Sequence, residues 1–382
     1  MIGSSPLKNR PVRAVFLTFV VNGALFGTWV SRIPSIQGKL GLNEAQLGLL
    51  LLGMSVGVLI GLALASGWIS LFGSRAVTIV SFGLMVAALP CLALAPHALL
   101  LWPLVLVFGG AMSVMDVAMN EQAVFVERAA GQPLMSRFHG AFSVGGLLGA
   151  LVGAPFAEAG IPPVLHFPAA ALIAIAGMGM AAPGLLVQTE KPGQPPDRLF
   201  CFPQRVLWPI GIVALISSIG EGAMADWSAV YVVEILRSSE GTAGLAYAAY
   251  SLAMTLARLG GDALKTRCSA RMIVSLGGWV ASSGLLLIVA SGDVPLALVG
   301  FALVGLGLAN LIPIAFTAAG NFPGVPSSVG IAGVASIGYA GFLASPPFVG
   351  LLAEATSLRL AFVTLIVLLL SLPFLARAVW KE

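Results

Sequence analysis

Long apolar runs, separated by short polar segments, fill almost all of this 382-residue sequence. A helix that crosses a bilayer needs about 20 apolar residues, and most of these runs reach that length. They are continuous, whereas the strands of a membrane β-barrel alternate between apolar and polar residues. We predict an all-α integral membrane protein with twelve transmembrane helices, over residues 12–34, 43–70, 75–95, 98–124, 137–158, 163–187, 206–235, 242–264, 271–291, 294–319, 327–353 and 357–379.

One polar segment divides the predicted helices into two groups of six. Residues 188–198 are rich in charged and amide side chains and contain three prolines, a composition typical of linkers. We therefore predict two pseudo-symmetric six-helix bundles, an N-terminal one over 1–187 and a C-terminal one over 206–382. A linker over 188–205 joins them.

The composition supports a membrane protein. Hydrophobic residues make up 58% of the chain and charged residues 9%, whereas soluble domains have about 25% charged residues. The net charge of +4 comes from basic residues that are scattered over many loops and form no dense patch. We expect the partners to be the lipid bilayer and a small-molecule substrate, and not nucleic acid.

The sequence contains no pattern typical of an enzyme or a cofactor site. It has no Gly-x-x-x-x-Gly-Lys-Ser/Thr loop for ATP, so an ion gradient is the expected energy source. We expect no cofactor and no metal, because the cysteines and histidines stand apart in the sequence, at positions Cys91, Cys201, Cys268, His97, His139 and His166.

The distribution of basic residues predicts the orientation in the membrane. Of 19 Lys and Arg residues, four fall in predicted outer segments, Arg258 falls within a span, and the other fourteen fall in predicted inner segments. Short loops rich in Lys and Arg stay on the cytoplasmic side. We therefore expect a multi-pass membrane protein with both termini and the linker in the cytoplasm.

Acidic and amide side chains lie inside two apolar runs, one in each half. The first run contains Asp116, Asn120 and Glu121, and the second contains Glu221 and Asp226. Ionisable groups at bilayer depth are costly and normally face a bundle interior or a wet cavity. Each half therefore has a candidate functional centre, and we expect Glu221 to lie opposite Asp116 across a pseudo-two-fold axis.

Helical spacing suggests separate roles for the first-half residues. Asp116 and Asn120 are four residues apart and share a helix face, whereas Glu121 points about 100° away from Asn120. A carboxylate shielded from bulk water can load and release a proton near neutral pH, so Asp116 is a candidate for proton coupling, with a helix-bonding role as the alternative. Glu121 suits a structural salt bridge. His139 is a second candidate proton carrier, although a structural role is more common for such a residue.

In the second half, Glu221 is flanked by Gly220 and Gly222, a pattern that predicts a local break in the helix where a substrate or proton could bind. Asp226 is a candidate gate hydrogen bond, and its neighbour Trp227 is a candidate interface anchor. Glu127 is predicted to lie in a solvated cytoplasmic loop. Side chains that could bind a polar solute are Asn22, Trp29, Asn120, Glu221, Asp226, Trp227, Tyr247, Tyr250, Asn310 and Tyr339.

Glycines are concentrated in the predicted spans, and the chain has 46 of them. Small residues at three- or four-residue spacing allow membrane helices to approach closely. We expect packing to explain most of them, with a hinge role for the rest.

Two loops resemble those of the major facilitator superfamily. Residues 258–267 are similar to its Gly-x-x-x-Asp-Arg type loop, and residues 66–75 resemble a degenerate copy in which Ser70 stands in place of Asp. Twelve spans in a six-plus-six division fit the same superfamily, whose fold the resemblance implies. It also implies that gating residues lie in these loops, namely Ser70, Arg75, Arg258, Asp262 and Arg267. Arg258 and Asp262, four apart, suit an ion pair.

Further motifs resemble a narrower group. Residues 116–120, 139–143, 221–227 and 338–347 look like the bacterial rhizopine-permease-like proteins, which are distantly akin to fucose permease. The resemblance implies a protein of the bacterial inner membrane in which Asp116 matches an acid that takes part in proton coupling. Those proteins also use an acid in the first span, where this chain has Asn22 instead.

Three functions are compared. The leading one is a proton-coupled secondary transporter of a polar or sugar-like solute that works by alternating access, as a symporter or antiporter and as a monomer. The alternative is a proton-driven efflux pump for amphipathic compounds. The third is a membrane-embedded sensor or enzyme without transport, which would need a soluble effector domain or a catalytic constellation, and we identify neither in the sequence.

Overall fold

A computed structural model describes residues 10–131, 134–187, 204–261, 264, 267–325 and 327–380. Nearly all of these residues are helical, and no strand occurs among them. The predicted all-α class is thus confirmed. Asp262 and the predicted linker up to residue 203 lie outside the described residues.

The described helices are numbered in chain order. They are α1 (Arg10–Ser31), α2 (Ile33–Leu40), α3 (Glu44–Phe72), α4 (Ser74–Leu94), α5 (Ala98–Ala130), α6 (Met135–Glu158), α7 (Pro163–Ala181), α8 (Trp208–Glu234), α9 (Glu240–Leu259), α10 (Ala270–Ala290), α11 (Val294–Leu308), α12 (Leu311–Gly320), α13 (Ser327–Ala355), α14 (Leu358–Leu370) and α15 (Leu372–Val379). Short 3-10 turns cover Ala182–Gly184 and Arg205–Leu207.

Eleven segments of the described chain are long and apolar enough to cross a membrane. One of them, Val294–Gly320, contains both α11 and α12, and another, Leu358–Val379, contains both α14 and α15. The predicted span over 242–264 corresponds to α9, which is 20 residues long but carries more polar side chains and is not among the eleven. The total of twelve spans therefore stays a prediction.

Large apolar side chains are exposed on the outside of many helices. Leu71, Leu99, Leu172 and Met180 each expose more than half of their surface. Soluble monomers rarely expose extensive apolar patches, but lipid tails solvate them well. These surfaces fit a protein surrounded by lipid.

The chain forms two compact units. The first comprises residues within 1–36 and 53–197, and the second comprises residues within 37–52 and 198–382. Residues 37–52, which include α2's last residues and the start of α3, therefore pack with helices from later in the chain. Close backbone packing accounts for this, since a Cβ atom on Gly48 would lie 2.6 Å from the Pro346 carbonyl oxygen.

Glycines let helices α1 and α6 cross in backbone contact within the first unit. A Cβ atom on Gly23 would lie 2.0 Å from the Phe142 carbonyl oxygen, and one on Gly145 would lie 2.0 Å from that of Val20. No side chain larger than hydrogen fits at such distances. The expected packing role is confirmed for these glycines.

In the second unit, a glycine likewise allows close backbone contact between α9 and α11. A Cβ atom on Gly305 would lie 2.2 Å from the Tyr250 carbonyl oxygen. This contact brings the middle of α9 close to α11 near its C-terminal end. The polar centre of the second unit lies further along both helices, around Arg258 and Ala309.

Candidate functional site

The centre of the second unit is an ion pair between α8 and α9. Arg258 Nη2 lies 3.2 Å from Glu221 Oε1 and 3.3 Å from Oε2, and it donates to both oxygens. The Glu221 side chain is 12% exposed and that of Arg258 is 40% exposed. A charge-assisted bond of this kind explains how a carboxylate is accommodated inside an apolar bundle.

Helix α8 is continuous through Glu221, so the predicted break at this point is wrong. Gly220 and Gly222 instead serve packing: a Cβ atom on Gly220 would meet Leu308 at 3.1 Å, and one on Gly222 would meet Ser345 at 3.0 Å. The two glycines admit neighbouring side chains on either side of Glu221. The backbone hydrogen bonds of the helix therefore need not be broken.

A span of the second unit is instead interrupted between α11 and α12, next to the ion pair. Arg258 Nε donates to the Ala309 carbonyl oxygen over 3.1 Å, and Asn310 Nδ2 donates to the Ala257 carbonyl oxygen over 3.4 Å. These two bonds connect the last turn of α9 to the interruption. Arg258 thus contacts Glu221 and a backbone carbonyl at once, an arrangement that the predicted pairing with Asp262 did not include.

Two tyrosines lie beside the ion pair. The rings of Tyr247 and Tyr250 are both buried, with centroids 6.1 Å apart. Both lie close enough to Glu221 and Arg258 to interact with their charges, and Tyr247 also interacts with Asp226. With Asn310, six predicted residues therefore gather in one region of the second unit.

The centre of the first unit is the predicted pair on α5. Asn120 Nδ2 donates to the Asp116 backbone oxygen over 2.8 Å and to its carboxylate oxygen Oδ1 over 3.3 Å. Both residues are half-buried. The shared helix face expected from their spacing is confirmed, and a role in proton coupling stays a prediction.

Three of the predicted solute-binding side chains are buried in packing. Asn22 donates to the Met119 sulphur over 3.5 Å, and Trp29 packs against Phe108 and Phe167. Trp227 is fully buried, so it does not sit at the surface as an interface anchor. Contact between these side chains and a solute stays a prediction.

The remaining predicted residues are distributed over both units. Tyr339 is half-buried on α13, and His139 is exposed on α6 with its ring edge-on to Phe19 at 5.5 Å. Ser70 is exposed near the end of α3, Arg75 is half-buried at the start of α4, and Arg267 is exposed. The gating roles of Ser70, Arg75 and Arg267 stay predictions, as do solute binding by Tyr339 and proton transfer by His139.

Glu127 is not in a loop, contrary to the prediction. It lies in α5, and its Oε2 accepts hydrogen bonds from the backbone N–H groups of Leu134 and Met135, at 2.6 and 2.8 Å. These N–H groups stand at the start of α6 and have no partner within that helix. Glu127 therefore caps α6.

Another polar contact in the second unit was not predicted. Gln37 Nε2 donates to Glu234 Oε1, and the Glu44 carboxyl is close enough to Glu234 for a hydrogen bond. These residues fall near the ends of predicted spans, where polar side chains are common and carry little signal. Only the packing of residues 37–52 brings them together.

Among the described residues, no group of three or more His, Cys, Asp and Glu could hold a metal ion. One cavity of about 280 Å³ lies in the second unit, away from the ion pair, and is lined by Cys268, Ala270, Ile273, Ile314, Thr317, Ala318, Asn321 and Trp380. None of the predicted site residues lines it.

The chain is similar to two named bacterial membrane proteins over most of its length. It is 38% identical to an uncharacterized MFS-type transporter of Yersinia pestis, over 96% of this chain and 94% of that protein. The chain belongs to the major facilitator superfamily. It is also 31% identical to the membrane protein MosC of Rhizobium meliloti, over 96% of this chain and 89% of that protein. No family model matches the chain.

Solved structures of transporters in this superfamily share the fold. A variant of the nucleoside transporter NupG matches with a TM-score of 0.79 over 98% of this chain and 100% of that one, at 13% identity. A variant of the Escherichia coli fucose:proton symporter FucP matches with a TM-score of 0.62 over 97% and 99%, also at 13% identity. Together with the relatives, these matches make the chain a multi-pass inner-membrane protein of this transporter superfamily.

Proposed function

We propose that this protein is a secondary active transporter that moves a small polar or sugar-like solute by alternating access, coupled to protons. Membership in the superfamily supports transport in general. The solute class, the proton and the transport cycle are the proposed parts. The Glu221–Arg258 pair is the observation that carries the proposal.

An ion pair between a largely buried carboxylate and a partly exposed guanidinium suits a site that must change partners. Exposed ion pairs contribute little to stability, and buried ones are often no better than apolar residues, so such a pair contributes little net stability to a fold. An apolar bundle that retains one, with two tyrosines beside it, therefore favours binding over scaffolding. A solute with hydroxyl groups could accept hydrogen bonds from Arg258 and donate them to Glu221.

Proton coupling is assigned to the two acidic centres. Asp116 has one amide partner, Asn120, and no cationic partner among the residues that the structure describes. It can therefore gain or lose a proton without breaking an ion pair. We propose Asp116 as the coupling group, Glu221 as a group that contacts solute, proton or both, and His139 as a second proton carrier. FucP is named as a proton symporter, which supports this assignment by analogy.

The proposal is tested with the purified protein in liposomes. An imposed pH gradient should drive accumulation of at least one compound from a panel of polyols, amino sugars and amphipathic dyes. Dyes moving against the proton gradient, with no polyol transported, would favour the efflux alternative. No proton-dependent flux of any compound, with folded protein in the membrane, would contradict proton coupling.

Substitution of Glu221, with a matched control, tests the centre of the second unit. Glu221→Gln should weaken solute binding or remove the pH dependence of that binding between about pH 5 and about pH 8. Glu354→Gln, an exposed residue at the end of α13, is the control and should behave like the wild type. Unchanged affinity and pH dependence in Glu221→Gln would move the site to Asp226 and Trp227.

A further inference from the structure

The interruption between α11 and α12 has a chemical cause in the sequence. In a helix, the carbonyl of residue 309 accepts a hydrogen bond from the N–H of residue 313. Residue 313 is proline, which has no N–H and whose ring clashes with that carbonyl. Ala309 and Asn310 accordingly form the junction, and helix α12 begins again at Leu311.

The carbonyl that Pro313 leaves without a helical donor is the one that Arg258 contacts. Arg258 Nε donates to the Ala309 oxygen over 3.1 Å, while Nη2 of the same side chain donates to Glu221. A guanidinium is a rigid planar fork, so fixing Nε also fixes the direction of Nη2. The carbonyl thus orients the ion pair.

We propose that Pro313 is a positioning residue for the Glu221–Arg258 pair, and that it acts by freeing the Ala309 carbonyl as an anchor for Arg258. This inference rests on the proposed function in one respect, namely that the Glu221–Arg258 pair is the transport site. The geometry of the anchor is independent of transport. A lysine at position 258 would present its three N–H donors from one nitrogen atom, so it could not hold one donor on the Ala309 carbonyl and aim a second, separate nitrogen at Glu221.

The alternative is that Pro313 only bends the span. Both explanations predict some change when the proline is replaced. They differ on the energy of interaction between Glu221 and Arg258, because a simple bend has no reason to alter that quantity.

The test is a double-mutant cycle measured in the absence of any solute. The cycle consists of Glu221→Gln, Arg258→Gln and the double variant, each made with and without Pro313→Ala. Reversible unfolding in detergent gives the folding equilibrium of every protein. We expect the Glu221–Arg258 coupling to be about fivefold in that equilibrium with the proline, and below about twofold in the Pro313→Ala background.

Pro313→Ala should itself fold at least as stably as the wild type, because it restores a backbone hydrogen bond and removes a clash. Pro313→Gly supplies the same N–H on a more flexible backbone and should reduce the coupling in the same way. Pro90→Ala in α4 is the matched control. Among the described residues, no side chain donates a hydrogen bond to the Val86 carbonyl, which lies four residues before Pro90. Pro90→Ala should therefore leave the Glu221–Arg258 coupling unchanged.

Equal coupling in the presence and absence of Pro313→Ala would overturn the proposal. Loss of folded protein in both Pro313 variants would also overturn it, since it would show that the proline is required for the fold. Failure to find a transported solute would leave this result standing and would count against the proposed function alone.

Discussion

Helices α1 and α6 are in backbone contact at Gly145, and this contact predicts a large effect of a single methyl group. A Cβ atom there would lie 2.0 Å from the Val20 carbonyl oxygen and 3.0 Å from the Ala24 nitrogen. Normal contact between heavy atoms is about 3.5 Å, so the two backbones would have to separate by about 1.5 Å. Gly145→Ala should therefore destabilise the first unit.

The magnitude follows from the kind of atom that is in the way. A flexible side chain could rotate, but a backbone carbonyl in a helix cannot move alone. Inserting a methylene into a well-packed core costs about 1–3 kcal/mol, and we expect Gly145→Ala to fall at the upper end. The separation would also weaken the neighbouring contact at Gly23 on the same interface.

Gly83→Ala is the matched control for this substitution. Gly83 lies in the middle of α4, is exposed, and has nothing within 4 Å of its added Cβ atom. Alanine is a better helix former than glycine by about 1 kcal/mol, so this variant should be as stable as the wild type or more stable. The two identical substitutions should thus have opposite signs.

Reversible unfolding in mixed detergent micelles, followed by circular dichroism, measures both variants. The predicted difference in unfolding free energy between them is about 2–4 kcal/mol. A Gly145→Ala protein as stable as the wild type would refute the packing argument. It would show that α1 and α6 can separate without loss of stabilising contacts.

Four further predictions concern the polar residues and the topology. Arg258→Gln should lower the unfolding free energy by about 2 kcal/mol and Glu221→Gln by about 1 kcal/mol in the same assay. The reason is that Arg258→Gln leaves the more buried partner, the Glu221 carboxylate, without a cation. The reverse order would contradict this. Asp116→Asn should abolish proton-driven accumulation in liposomes while solute counterflow survives, and full accumulation would return Asp116 to a structural role. Glu127→Ala should lower the unfolding free energy by about 1 kcal/mol through loss of the α6 cap, and no change would mean that water caps α6 equally well. A reporter inserted within 188–198 should read as cytoplasmic, and a periplasmic signal would reject the charge-based orientation.

The sequence alone determined the features that depend on local spacing. Apolar runs of sufficient length defined the helices, because a bilayer allows only chains whose backbone groups are satisfied internally. The Asp116–Asn120 pair was predictable because residues four apart share a face of any helix. The close helix packing was also predictable in kind, since small residues are the ones that permit it.

Only the tertiary structure decided which faces meet. Spacing suggested Asp262, which lies outside the described residues, as a partner for Arg258. The partner that the structure shows, Glu221, lies 37 positions earlier in the chain. The anchor at Ala309 is a backbone atom, which no side-chain pattern reveals, although Pro313 marks it once the contact is known. Helical periodicity fixes the direction of each side chain around its own axis, whereas glycine contacts such as that of Gly305 set how deeply two helices approach. The second-unit site depends on that approach, so the sequence could supply its residues but not its geometry.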